Sequence, residues 1–112
     1  MAKSHLLPSS NEQFLNLIAE RFKALGEPSR LKLLICLTNK ERTVGELVEA
    51  SGLSQANVSR HLQTLMKAGI LARRKDKLNV YYHIYDTCIP KLCELMCGSL
   101  KKQLQTQVKA FA

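Results

Sequence analysis

Apolar residues recur at helical spacing through the first part of the chain, give way to alternation between residues 70 and 85, and return to helical spacing afterwards. From Asn11, the side chains of Phe14, Leu17, Ile18, Phe22 and Leu25 share one face of a helix that stops at Gly26. Glu27-Pro28-Ser29 restarts the chain with proline in a first turn, and Leu31, Leu34, Ile35 and Leu37 predict a second helix running through the core. Asn39 to Arg42 is a polar connection. Residues 43–69, TVGELVEASGLSQANVSRHLQTLMKAG, read as two short helices joined by a tight turn. Ser51-Gly52 suits the left-handed end of the first, and Ser54 stands where an N-cap of the second belongs. Val58, Leu62, Leu65 and Met66 then fall on one apolar face, which completes the pattern of a helix-turn-helix.

Past Gly69, Ile70–Arg74 and Val80–Tyr85 are β-branched, aromatic or alternating, with Lys75–Asn79 between them. They predict a hairpin with a charged tip, a wing over residues 70–85. Asp86 and Thr87 offer cap oxygens, Pro90 suits an opening turn, and residues 87–110, the lead-in before that turn included, read as one long helix. Its Leu92, Met96, Leu100, Leu104, Val108 and Phe111, with Leu95 beside them, form a stripe longer than one small core can cover. A second copy of the chain can cover it. The expectation is a two-fold dimer built from Phe14 and Ile18 of the first helix and Leu92, Met96, Leu100, Leu104 and Val108 of the last. It would set two recognition helices about one DNA turn (~34 Å) apart. Residues 1–10, with Pro8, Ser9 and Ser10 and no periodicity, read as a mobile arm whose His5 faces solvent. The fold expected is mainly α (α+β), a single winged helix-turn-helix domain over residues 1–112 with five helices and a two-stranded β-hairpin wing.

Composition adds a partner. With 46% hydrophobic and 23% charged residues the chain is globular, and its longest apolar run, Leu33 to Leu37, is far short of the ~20 residues that span a bilayer. The first ten residues lack the apolar stretch of a secretory signal, so a cytosolic compartment with reduced thiols is expected. Net charge is +8, and between Ser54 and Lys77 six basic residues (Arg60, Lys67, Arg73, Arg74, Lys75, Lys77) face only Asp76, a local balance of 6 − 1 = +5. That is a footprint for a polyanion, and it adjoins the helix-turn-helix. Gln55, Ala56, Asn57, Ser59, Arg60 and Gln63 on the polar face are types that reach base edges or phosphates of double-stranded DNA, and Arg73, Arg74, Lys75 and Lys77 are placed to meet phosphates beside the groove.

The cysteines carry the remaining candidate chemistry. Cys93 and Cys97 are four apart, so a helix sets both thiols on one face, and Cys88, expected just ahead of that helix, could fold back to them. Three thiolates suit As(III) or Sb(III), or with a fourth ligand a soft divalent metal. The same pair could be oxidised or persulfidated, or simply pack beside Leu92 and Met96. Cys36, on the flank of the second helix, reads as packing, and His83, with no second histidine near it, as packed or hydrogen-bonded. No nucleophile–base pair points to an enzyme.

Three blocks, Phe22–Leu31 (FKALGEPSRL), Leu53–Leu62 (LSQANVSRHL) and Val80-Tyr81-Tyr82, together resemble the ArsR/SmtB family of winged-helix repressors over nearly the whole chain. The resemblance implies a dimeric repressor in the bacterial cytosol, at the nucleoid, that leaves its operator when an inducer binds. It adds His61 to the groove-facing set of Gln55, Ala56, Ser59 and Arg60, although the helical wheel places His61 nearer the flank. The family's arsenite pair, Cys-x-Cys at the start of the helix-turn-helix, is replaced here by Glu46–Ala50, and its zinc set is missing because the last helix has no histidine. Cys36 and Cys97 resemble the cysteines of reactive-sulfur sensors, with Cys36 one residue out of register. The inducer expected is therefore a soft metal or metalloid such as arsenite at Cys88, Cys93 and Cys97, with reactive sulfur or oxidants, or purely structural cysteines, as the alternatives.

Overall fold

The computed structural model describes residues 11–111, with side chains to residue 108. The arm expected over residues 1–10, with His5, and the Phe111 side chain lie outside the described residues. The element order is α1 (Glu12–Leu25), α2 (Pro28–Cys36), α3 (Val44–Ser51), α4 (Gln55–Lys67), β1 (Leu71–Asp76), β2 (Asn79–Ile84) and α5 (Cys88–Phe111). Five helices and a two-stranded antiparallel hairpin are thus present, as the periodicity predicted.

Local chemistry sets each boundary. Asn11 opens α1 by accepting the Phe14 N–H at 3.0 Å, and Thr43 and Glu46 form a reciprocal capping box on α3. Gly52 ends α3 at φ 77°, a left-handed conformation that costs glycine nothing, and Ser54 then caps α4 by accepting the Asn57 N–H at 3.2 Å. Gly52 and Ser54 together make the turn that joins the two helices of the helix-turn-helix.

The core gathers where α2, α3, α4 and the base of the wing meet. Leu33, Leu47, Val58, Leu62, Leu65 and Ile70 are completely enclosed there. The expected face of α2 is corrected: Leu33, Leu34 and Leu37 point inward, while Leu31 is exposed and Ile35 is 73% exposed. The helix does line the core, but rotated, because its inward row follows the i, i+4 pair Leu33 and Leu37.

The wing's tip is tighter than expected, and Ile70 and Tyr85 fall just outside its strands. Ladder pairs run from Leu71–Ile84 to Asp76–Asn79, so Lys75 and Asp76 join the first strand and the connection shrinks to Lys77-Leu78. Lys77 takes φ 59°, which a two-residue hairpin turn demands. One pairing left no signal in the pattern: Arg42 exchanges both backbone hydrogen bonds with Tyr82, at 3.1 and 2.8 Å, which fastens the α2–α3 connection onto the wing. Among the described residues no helix is long and apolar enough to cross a membrane.

Candidate nucleic-acid interface

α4 is divided cleanly along its length. Val58, Leu62 and Leu65 are buried, while Gln55, Ala56, Asn57, Ser59, Arg60 and Gln63 are exposed on the opposite side. Arg60 is steered within that face, because its Nη2 donates to the Asn57 Oδ1 at 2.7 Å. A guanidinium so directed presents its remaining donors outward as a fork suited to a guanine edge or a phosphate.

His61 is a correction to the groove-facing set. It is 4% exposed, and its Nδ1 lies 3.2 Å from the Arg30 Nη1. The helical turn that puts Ser59 and Arg60 outside rotates the next residue toward the α1–α2 elbow, so no DNA atom can reach it. Burial pushes the imidazole below its ordinary value of 6.5, opposed by the Glu27 carboxylate and aided by Arg60 and Arg30.

The four basic wing residues also divide. Arg74 Nε donates to the Glu41 Oε1 at 2.8 Å, a second bond joins Nη2 to Oε2, and the guanidinium lies 4.8 Å above the Tyr81 ring. That bond to Arg74 holds the Glu41 carboxyl below the usual carboxylate range and raises Arg74 in turn. A phosphate would have to displace Glu41, so Arg74 serves as the tie between the wing and the α2–α3 connection rather than as a free phosphate contact. Arg73 and Lys75 share the sheet face of the buried Leu71, since alternate strand residues face alike, and past the edge of the core that face is exposed. They and Lys77 at the tip are exposed cations on the hairpin that follows α4. Leu78, next to Lys77, is 96% exposed, an apolar tip that the charge pattern gave no reason to single out.

The cysteines are not gathered as expected. Cys88 does not precede α5 but opens it, its N–H donating to the Asp86 Oδ1 at 3.1 Å. At 100° per residue, nine residues put Cys97 on the far side of the helix, so three thiols of one protomer cannot meet. Among the described residues, no three His, Cys, Asp or Glu side chains are grouped to hold a metal. Cys93 is half-buried against the core and Cys97 is exposed one turn on. Burial, then the neighbouring Cys97, raises the Cys93 thiol, and the Asp86 carboxylate raises Cys88. Cys36 is half-buried and packs against the core, and the His83 Nδ1 is enclosed without a hydrogen-bond partner among the described residues.

The seam residues separate in the same way. Leu92 is half-buried against the protomer's own core, and Ile18 is half-buried. Phe14 (47%), Leu95 (73%), Met96 (65%), Leu100 (53%), Leu104 (50%) and Val108 (68%) stand open.

A capped helix-turn-helix, an outward polar face on its second helix and a basic hairpin beside it define the winged helix-turn-helix class. Comparison with known proteins narrows the class. Residues 27–73 match the family described as "Bacterial regulatory protein, arsR family". The "Uncharacterized HTH-type transcriptional regulator Rv0081" of Mycobacterium tuberculosis is 36% identical over 92 residues, 81% of this chain and 78% of that one. Its crystal structure superposes with a TM-score of 0.77 over 88% of this chain and 99% of that one, at 34% identity. The "Probable mercury resistance operon repressor" of Streptomyces lividans is 40% identical over 78 residues, 70% of this chain and 60% of that one. The solution structure of the homodimeric winged helix-turn-helix DNA-binding domain Mb0332 from Mycobacterium bovis has a TM-score of 0.78 at 25% identity, over 89% of this chain and 95% of that one. The chain belongs to the ArsR family of bacterial transcriptional regulators.

Proposed function

We propose that the protein is a homodimeric, sequence-specific repressor of transcription, acting in the bacterial cytosol, that reads operator DNA with α4 and steadies itself on phosphates with the wing. The observation that carries this reading is α4 itself, one side wholly enclosed and the other exposing six polar or small side chains, with Arg73, Lys75 and Lys77 exposed on the hairpin that follows it. Cations beside a polar helix give both halves of DNA recognition, phosphate contacts that position and side chains that read. The dimer is supported by the open stripe on α5 and by a groove of about 830 Å³ between α1 and the end of α4, apolar on its Phe14, Leu17 and Ile18 side and charged on its Arg21 and Lys67 side, which a second copy can fill. The homodimeric Mb0332 relative agrees with it. In this reading one domain carries all of these parts, and the protein is a regulator rather than an enzyme.

The test is binding to the duplex flanking its own gene at increasing salt. A steep log–log loss of affinity, with footprints on two half-sites about one helical turn apart, is expected. No binding at low salt, or a monomer at micromolar concentration by sedimentation, would overturn it.

Release is proposed to act through Cys93 and Cys97. Burial raises the Cys93 thiol and the Asp86 carboxylate raises Cys88, which lowers the thiolate available to an oxidant and to a metal alike. A pair of thiols on successive turns of the dimer helix suits a soft divalent metal, with reactive sulfur or oxidants as the alternative, and a three-thiolate metalloid site does not fit one protomer. The S. lividans mercury repressor supports the same chemistry. With both cysteines replaced by serine, operator binding is expected to persist and metal-dependent release to vanish; full release from the double variant would leave the pair as packing only.

A further inference from the structure

Among the described residues, His61 is a buried ionisable side chain whose partners come from other elements. Arg30 Nε donates to the Ala24 carbonyl at 2.6 Å and Nη2 to the Lys23 carbonyl at 3.3 Å, so two arms of its fork close the last turn of α1. The third arm, Nη1, reaches the His61 Nδ1 at 3.2 Å. A guanidinium has only donors, so Nδ1 accepts, and the imidazole is neutral with its proton on Nε2. That nitrogen faces the Glu27 Oε1 at 3.9 Å. Glu27 is itself fixed, because its carboxylate accepts the Ser29 and Arg30 N–H groups at 2.7 and 3.1 Å and so caps α2. One side chain of the recognition helix thus bonds to Arg30 at the start of α2 and lies near the Glu27 cap, and Arg30 carries the contact on to the last carbonyls of α1. Leucine at this place would fill the space without specifying a rotation; a directional bond specifies one.

We propose that Glu27, Arg30 and His61 form a positioning clamp that sets the rotation of α4 against the α1–α2 elbow, so that discrimination between operator and random DNA requires the neutral imidazole. The clamp rests on the DNA-reading function proposed above. The charged groups facing His61 are Glu27 and Arg30 from the elbow and Arg60 from its own helix. A proton on Nδ1 points a donor at the Arg30 donor and sets like charge against like charge. Arg30 must then leave either His61 or the carbonyls of α1, and the fixed rotation is lost. Arg60, the adjacent residue on the outer face, moves with it. His61, Arg30 and Glu27 touch no DNA in this scheme; they act through the residues that do.

The experiment measures affinity for operator and for random duplex from about pH 7.5 down to about pH 4.5, past the ordinary imidazole range because burial lowers His61, with the His61 ring protons followed by NMR on the same samples until they have shifted. The wild-type chain is expected to lose about tenfold in the operator-to-random ratio as His61 titrates, while random binding does not weaken. His61→Asn keeps an acceptor near the Nδ1 position and cannot charge, so its ratio should stay flat across the range. Arg30→Lys keeps the charge without the fork, and should lose about tenfold in the ratio at neutral pH with an unchanged salt slope and an unchanged circular dichroism spectrum. The same pH profile for wild type and His61→Asn, or full discrimination by Arg30→Lys, overturns the clamp alone. The wild-type profile against its own NMR titration decides the matter even if a variant fails to fold. A wild-type chain that binds no duplex at neutral pH overturns the DNA-reading function, and the clamp with it.

Discussion

α4 and α5 carry the same kind of apolar periodicity and meet opposite fates. In α4 the apolar row Val58, Leu62 and Leu65 is 0–1% exposed, closed in by α2, α3 and the base of the wing. In α5 the row Met96, Leu100, Leu104 and Val108 is 50–68% exposed, and among the described residues only the helix's first turns reach the protomer's core, with Ile89 buried in it and Leu92 and Cys93 packed against it. An apolar stripe is therefore a statement that something must cover it, and the sequence leaves open what that is. For α4 the cover is the rest of the same chain, so its free face is rigidly presented. For α5 the cover comes from outside, and whatever acts on its first turns acts on the joint between copies. Cys93, half-buried, and Cys97, exposed, sit at that transition.

The comparison is broken most severely from the α4 side. Leu62→Ala removes a side chain that is 1% exposed, and should cost about 2–5 kcal/mol in urea unfolding through lost burial and the cavity left behind. Its effect should not depend on protein concentration. Leu100→Asp should do the reverse: little change to the fold of the protomer, a monomer by sedimentation, and about a hundredfold weaker operator binding because two half-sites are no longer held by one particle. If Leu100→Asp stayed dimeric, the open stripe would have another purpose. Arg60→Ala is smaller again. Arg60 is exposed and bonded only to Asn57 and its own helix, so thermal stability should hold, while operator affinity drops by about tenfold and sequence discrimination narrows.

What could be read from the sequence follows the same division. The helix-turn-helix was legible because its determinants are local: Thr43 with Glu46, Gly52 and Ser54 each act within four residues, and the inward row of α4 follows from spacing alone. The features that escaped it depend on distant partners. The helical wheel sets His61 nearer the flank and only the family resemblance turns it to the groove, while nothing near it in the chain announces Arg30, thirty-one positions earlier. In the sequence Arg74 is one more cation, and only the fold brings Glu41 into its fork, while the Arg42–Tyr82 bridge has no periodic signature. Cys88 was misplaced by the start of a helix, and that one position decides whether three thiols can meet. The α2 face was misread for another reason: a nearly continuous apolar run fits a helical row in more than one rotation.

The smallest expected effect tests whether the wing is shaped for its partner or for its own stability. Lys77 holds φ 59° at a two-residue turn where glycine would sit without strain, and a non-glycine residue there gives up about 1 kcal/mol. Lys77→Gly should relieve that cost but add freedom to the unfolded chain, leaving a net gain of about 0.5 kcal/mol in urea unfolding. The same change removes a cation from the tip, and the salt slope of operator binding should fall by about one. Stability and binding then move in opposite directions from one substitution. That outcome means the strained turn is kept for the charge it carries to the phosphates, whereas a stabilised wing with an unchanged salt slope takes Lys77 out of the DNA-contacting set and leaves the wing's part to Arg73 and Lys75.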